Sequence, residues 1–220
     1  KLILTKCYNR LMLYLHKNFL IFFLSILTSI SLRSETNPHY FIDSNAQKMV
    51  EVLTKNSDLF NSNREAYESK IKEIFEPMID FRRVSASVMG KKYYLIATKE
   101  ERSKFELVFK DSLLDTYAET LAQWGDSTIT TEFPEKIPKN GNLKNIEVKQ
   151  TLDTGSSKYP ISYKLRLTKE KWKIVNIIIN GVNLGLTFRN QFQALAISND
   201  ENIGLTIENW VSDAGDAGIS

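Results

Sequence analysis

At Gly125 the spacing of apolar residues changes from about four to two, and that switch limits the fold classes open to this chain. Before it, Phe105, Phe109, Leu113, Tyr117 and Leu121 recur every fourth residue, and Val108, Leu114 and Ala118 widen the stripe. Lys104, Glu106, Lys110, Asp111, Asp115 and Glu119 take the other side, so this is a helix with one dry face. Its start is marked by Thr98 and Glu101, a capping box in which each side chain satisfies a free backbone N–H of the other. Three shorter helices are expected upstream. One runs from a cap at Asp43 or Ser44 to about Lys55, with Ala46, Met49, Val50 and Leu53 in phase. The next spans 64–75, with Tyr67, Ile71, Ile74 and Phe75, and Pro77 interrupts the pattern. The third spans 81–89 and ends on Gly90 as a C′ residue.

Beyond Gly125 the expected strands are 127–133, 143–152, 159–168 and 172–180. Pro134, Pro138, Asn140-Gly141, Gly155-Ser156-Ser157 and Lys169-Glu170-Lys171 punctuate them, and connections this short favour an antiparallel meander. In the third strand Ile161, Tyr163, Leu165 and Leu167 alternate with Ser162, Lys164 and Arg166, giving it one wet face. The fourth is apolar on both faces: Val175, Ile177 and Ile179 on one, Trp172, Ile174 and Ile178 with Asn176 on the other. Such a strand needs cover on both sides. Helical spacing returns at Leu184, Phe188, Gln191, Phe192 and Leu195, followed by a short helix over about 200–211. Helices, sheet, helices is the order of an α+β domain.

Charge divides the chain differently. Lys1, Lys6, Arg10, Lys17 and Arg33 precede every acidic residue, and from Glu35 onward 24 basic residues face 26 acidic ones. An apolar run over 19–32 follows His16-Lys17, with small residues at Ser29, Ser31 and Ser34. A basic stretch, a short apolar run and small residues describe a secretory signal peptide over 1–34, with Ser31 or Ser34 as cleavage points. The run is shorter than the roughly 20 residues that span a bilayer. A start at Met12 would give the signal a more ordinary length. The expected layout is therefore a signal peptide at 1–34, one domain at 35–212 and a polar, disordered tail at 213–220.

Composition narrows the chemistry. The one cysteine, Cys7, lies in the leader, and His39 is the single histidine beyond it. Disulfides, zinc or haem sites and Cys- or His-based triads lack their residues, and a near-neutral body without a basic tract does not suit nucleic acid. Asp80 beside Phe81 is the one carboxylate worth weighing as an acid or base, and a helix cap is its simpler role. Asp111 and Asp115 belong to a solvated face, and no elbow motif surrounds Ser156-Ser157. What stands out is apolar: the long helical stripe, the two-faced fourth strand and Phe188 with Phe192 can build either a plain core or a hollow for an apolar ligand.

These residues also form a familiar order. Asp80-Phe81, Val88-Met89-Gly90, Tyr93-Tyr94, Ala97-Thr98, Glu101-Arg102, Phe105, Phe109, Leu113-Leu114, Tyr117 and Leu121 make a first block. Tyr163, Trp172-Lys173-Ile174-Val175, Gly181-Val182, Leu184, Arg189 and Gln191-Phe192 make a second. In order and spacing, over about 40–210, they resemble the MlaC (toluene-tolerance) family of periplasmic lipid-binding proteins of Gram-negative lipid transport. Asn176 and Asn183 depart from the pattern, standing where Asp and Ser are expected, which bears on local hydrogen bonding.

The resemblance implies a curved antiparallel sheet packed against helices around an apolar pocket, an NTF2-like cone. It implies a periplasmic carrier that binds phospholipid acyl chains and shuttles lipid between inner and outer membranes. Its implied partners are an inner-membrane ABC lipid transporter complex and an outer-membrane lipoprotein–porin complex, in a system that maintains outer-membrane asymmetry. No cofactor, no nucleic acid and a monomer are expected. Burying about thirty methylenes, each worth roughly 0.8 kcal/mol, requires a deep sheath without charged side chains. The expected lipid-binding residues are Val84, Val88, Phe105, Phe109, Tyr117, Tyr163, Leu165, Val175, Ile177, Ile179, Phe188 and Phe192. The Val175 face of the fourth strand is preferred because Asn176 marks the other. Two alternatives stand: another apolar cargo, such as a hopanoid or quinone-like lipid, and a steroid-isomerase-type enzyme pairing Asp80 with Tyr93 or Tyr94.

Overall fold

The computed structural model describes residues 37–122, 127–135 and 144–213. The expected signal peptide with its cleavage points, the turn signals Pro138 and Asn140-Gly141, and the tail beyond Asp213 lie outside the described residues.

Helix α1, Pro38–Lys55, begins earlier than the apolar spacing suggested. Asn37 caps it, its Oδ1 accepting from the backbone N–H groups of His39 at 2.9 Å and Tyr40 at 3.4 Å. Pro38 occupies the first turn, where a missing N–H costs nothing. Asp43 and Ser44, the alternative expected caps, both sit inside the helix, where Asp43 accepts from Thr131 Oγ1 at 2.7 Å. A short α2, Ser57–Ser62, precedes α3, Arg64–Phe75, which Asn63 caps. A 3-10 turn over Glu76–Met78 leads into α4, Phe81–Ile96.

Gly90 does not end α4, as its spacing suggested. It interrupts the helix with φ 70° and ψ 167°, and helical backbone resumes to Ile96. Arg189 stitches the break, donating from Nε to the Ser87 carbonyl at 2.7 Å and from its guanidinium to Ser87 Oγ at 2.9 Å. A side chain supplies what the interrupted helical ladder cannot. The Thr98–Glu101 capping box forms as expected, at 2.7 and 3.1 Å, and opens α5, Lys99–Ala122.

Five antiparallel strands follow in sequence order: β1 Thr128–Thr131, β2 Asn145–Asp153, β3 Lys158–Thr168, β4 Lys171–Ile179 and β5 Val182–Asn183. The chain closes with α6, Leu184–Ser198, and α7, Ile203–Glu208. The sheet is curved and open, with helices against its inner face, so the α+β class and the meander both stand. Its outer face is wet, as the alternation in β3 predicted: Lys164 pairs with Glu147 of β2 at 2.7 Å, and Ser162 donates to the same carboxylate.

The fourth strand contains the main departure. Ile177 pairs with Tyr163 and Asn176 with Lys164, but Leu165 then pairs with Ile174. Val175 is an extra residue, a β-bulge. A bulge reverses the alternation of side chains along its strand. Trp172 and Ile174 therefore share the inner face with Ile177 and Ile179, and Val175 is turned out of it. The 3-10 turn secures the spot: the Asp80 N–H donates to the Ile174 carbonyl at 3.0 Å, Ile79 bridges Ile174, and Lys173 Nζ donates to the Pro77 carbonyl.

Aromatic rings join α4, α5, α6 and the segment after α7. Phe105, Phe192 and Trp210 form a cluster with ring centroids 4.8 to 5.9 Å apart, and Tyr93 packs edge-on to Phe192 at 5.8 Å. A smaller cluster of Met49, Leu53, Tyr67 and Ile71 joins α1 to α3. Tyr117 of α5 touches both clusters.

A two-lobed apolar cavity

Between the sheet and the helices the interior is hollow. The first lobe lies among α3, α4, α5, β4 and α6, with Ile71, Phe75, Ile79, Val84, Phe109, Leu113, Leu114, Tyr117, Ile174 and Phe188 among its walls. The second lies between α1 and the inner face of the sheet, lined by residues such as Ile42, Met49, Ile129, Leu152, Ile161 and Tyr163. Measured as room for the centre of a water-sized sphere, the lobes hold about 80 and 100 Å³. Phe75, Ile177 and Ile179 line both and form the partition. Among the described residues, no Asp, Glu, Lys, Arg or His lines either lobe.

The expected site residues divide into three groups. Val84, Phe109, Tyr117, Tyr163, Ile177, Ile179 and Phe188 line the lobes. Val88, Phe105, Leu165 and Phe192 are fully buried but face filled core; Trp210 and its neighbours occupy the space opposite Phe105 and Phe192. Val175 lies on the opposite side of the strand. The bulge places it on an outer groove beside Asp80, Arg82 and Lys173. Sequence reasoning passed over Ile71, Phe75, Ile79 and Ile174. The first two sit on the recognised apolar stripe of α3, where spacing does not separate core from cavity wall.

Three polar side chains matter to these walls. Asn176 is engaged on both amide atoms: Nδ2 donates to Asn183 Oδ1 at 2.9 Å, and Oδ1 accepts from the Gly185 N–H at 3.0 Å. Burial pushes the Tyr117 and Tyr163 phenols well above the ordinary range, so both remain neutral O–H groups. Asp80 faces neither lobe. It caps α4, accepting from the Arg83 N–H at 3.1 Å, and pairs with the Arg83 guanidinium at 3.4 Å. Tyr93 is core, with its hydroxyl directed to Glu201 at 3.5 Å.

A curved sheet closed by helices over an apolar hollow has the form of a site that encloses an apolar guest. Comparison with known proteins agrees. The family model described as MlaC protein matches residues 43–211, and the chain belongs to the MlaC family. It is 30% identical over 180 residues to the toluene tolerance protein ttg2D of Pseudomonas putida, covering 82% of each chain. It is 22% identical over 153 residues to the intermembrane phospholipid transport system binding protein MlaC of Haemophilus influenzae, covering 69% of this chain and 71% of that one. Its fold matches that of a phospholipid-binding protein from Ralstonia solanacearum, solved in complex with a phospholipid. The TM-score is 0.68 at 21% identity, over 78% of this chain and 93% of the other.

Proposed function

We propose that this protein is a periplasmic phospholipid carrier that holds acyl chains in the two-lobed cavity and moves lipid between the inner and outer membranes. The observation that carries this reading is a predominantly apolar lining of both lobes, free of charged side chains among the described residues, in a chain of the MlaC family. Seven of the expected lipid-binding residues, including Phe109, Tyr117, Tyr163 and Ile177, contribute to that lining. Each lobe offers one tail a dry path, and the Phe75–Ile177–Ile179 partition keeps two tails side by side. Burial at roughly 0.8 kcal/mol per methylene supplies the affinity, and the head group remains in water, where it contributes little selectivity. Release requires a partner that favours a more open state, because a ligand leaves only when the carrier's equilibrium is shifted. An inner-membrane ABC lipid transporter complex and an outer-membrane lipoprotein–porin complex are the partners this role calls for, and the leader over 1–34 supplies export.

Mass spectrometry of the organic extract, from protein expressed with its leader and purified from periplasm, tests the reading. Stoichiometric phospholipid is the expected result. A hopanoid or quinone would keep the carrier and replace the cargo. Protein that arrives empty and takes no lipid from vesicles would overturn the carrier itself.

A further inference from the structure

Tyr117 lines the first lobe, and its hydroxyl is buried in the wall without a hydrogen-bond partner. A buried, unpaired hydroxyl is costly, and native structures rarely keep one without a use. The surrounding side chains cannot satisfy it, since those of Phe75, Phe109, Leu113 and Phe188 carry no acceptor. Asn176, the other polar side chain in that lobe, already spends its oxygen on Gly185 and its nitrogen on Asn183. Burial also keeps the phenol protonated, so the group offered to a guest is a neutral donor.

We infer that Tyr117 is a specificity-determining contact whose hydroxyl donates to an uncharged oxygen on the lipid, namely an ester carbonyl. This rests on the carrier reading above and refines it from apolar cargo to ester-linked cargo. Phosphate oxygens are the poorer match: no Lys, Arg or His lines the lobe among the described residues, and an unpaired anion there would be strongly disfavoured. Ester carbonyls are neutral acceptors and lie at the head of each acyl chain, so a tail that fills the lobe carries its acceptor with it. An ether-linked lipid of the same length fills the lobe equally well but leaves the Tyr117 hydroxyl without a carbonyl to meet. The phenol thus reads the linkage and not the chain.

The test loads wild type and Tyr117→Phe from vesicles holding equal amounts of a diacyl phosphatidylethanolamine and its dialkyl ether analogue with matched chains. Bound lipids are then counted by mass spectrometry. Wild type is expected to favour the ester lipid by about fivefold, the scale of one net hydrogen bond, and in Y117F the ratio falls to near one. The lipid-free variant supplies a second readout. Removing an unpaired buried hydroxyl should raise its melting temperature by about 2–4 °C, whereas a structural hydroxyl would lower it. Equal loading of both lipids by wild type, or an unchanged ratio in Y117F, overturns the Tyr117 assignment and leaves the carrier standing. A wild type that loads neither lipid overturns both.

Discussion

The Nδ2 of Asn176 donates to the Oδ1 of Asn183 at 2.9 Å, and this pair fastens the end of β4 to the start of α6. Asn183 Oδ1 also accepts from the Leu186 N–H at 3.1 Å as the N-cap of α6, while Asn176 Oδ1 accepts from Gly185. The family resemblance led to an expectation of Asp and Ser at these positions. In an Asp–Ser pair the hydroxyl is the donor between the two side chains, whereas here the amide of residue 176 donates, so the two departures compensate each other.

Asn176→Asp alone should therefore be destabilising by about 1–2 kcal/mol, since it places a second acceptor against Asn183 Oδ1. Adding Asn183→Ser restores a donor and should recover most of the loss. Urea unfolding of the four proteins in the cycle measures the coupling, and simple additivity would contradict the pairing. Gly185→Ala belongs to the same junction: a Cβ there would lie 2.5 Å from Asn176 Oδ1, which its hydrogen bonds hold in place.

The bulge at Val175 separates two substitutions that ideal alternation would make equivalent. Ile177→Asp puts a carboxylate on the partition between the lobes, and lipid content should fall more than tenfold, to roughly a tenth or less of wild type. Val175→Asp faces the outer groove and should leave loading intact. Phosphorus analysis of purified protein, with circular dichroism to verify the fold, distinguishes them. Loss of lipid in both variants would mean that the strand runs without its bulge.

Gly90 tolerates no side chain, for a conformational reason. Its φ of 70° with ψ 167° is a region that residues with a Cβ avoid, although a Cβ there would meet nothing closer than Gln193 Nε2, at an ordinary 3.5 Å. Gly90→Ala is expected to cost about 1–3 kcal/mol through backbone strain. Thermal unfolding measures it, and a loss below about 0.5 kcal/mol would argue that the break in α4 can close into regular helix.

His39 gives the protein a pH dependence of definite sign. Burial lowers its pKa from 6.5, and its Nδ1 has no partner. Between the depressed folded value and 6.5, the unfolded chain binds more protons than the folded one. The stability tied to neutral His39 is thus complete above 6.5 and is lost as pH falls through that window toward the folded value. Urea midpoints of wild type should drop between about pH 7.5 and 5.5, and His39→Phe should flatten part of that slope. An identical slope in H39F would assign the effect to other groups.

Local physics accounts for much of the architecture. The capping box at Thr98 and Glu101, the α3 span and the antiparallel meander need only near neighbours in sequence, so spacing and turn residues revealed them. Asn37-Pro38 was equally local and was missed because apolar phase, rather than the cap, was used to start α1. Apolar stripes also identified which faces are dry.

What the stripes could not distinguish is a dry face that meets filled space from one that meets a hollow. Phe105 and Phe109 lie one turn apart on the same stripe, yet Phe105 packs on Phe192 and Trp210 while Phe109 reaches the cavity. That depends on the volume which distant elements bring to each spot. The inward face of β4 was likewise undecidable from alternation, because the bulge at Val175 arises from pairing with β3 and from the docked 3-10 turn. Residue order alone sufficed for the elements, their succession and their dry faces, since those follow from contacts a few residues apart. Where the empty space lies emerged only from the assembled fold, since a cavity is what the packing of remote segments leaves unfilled.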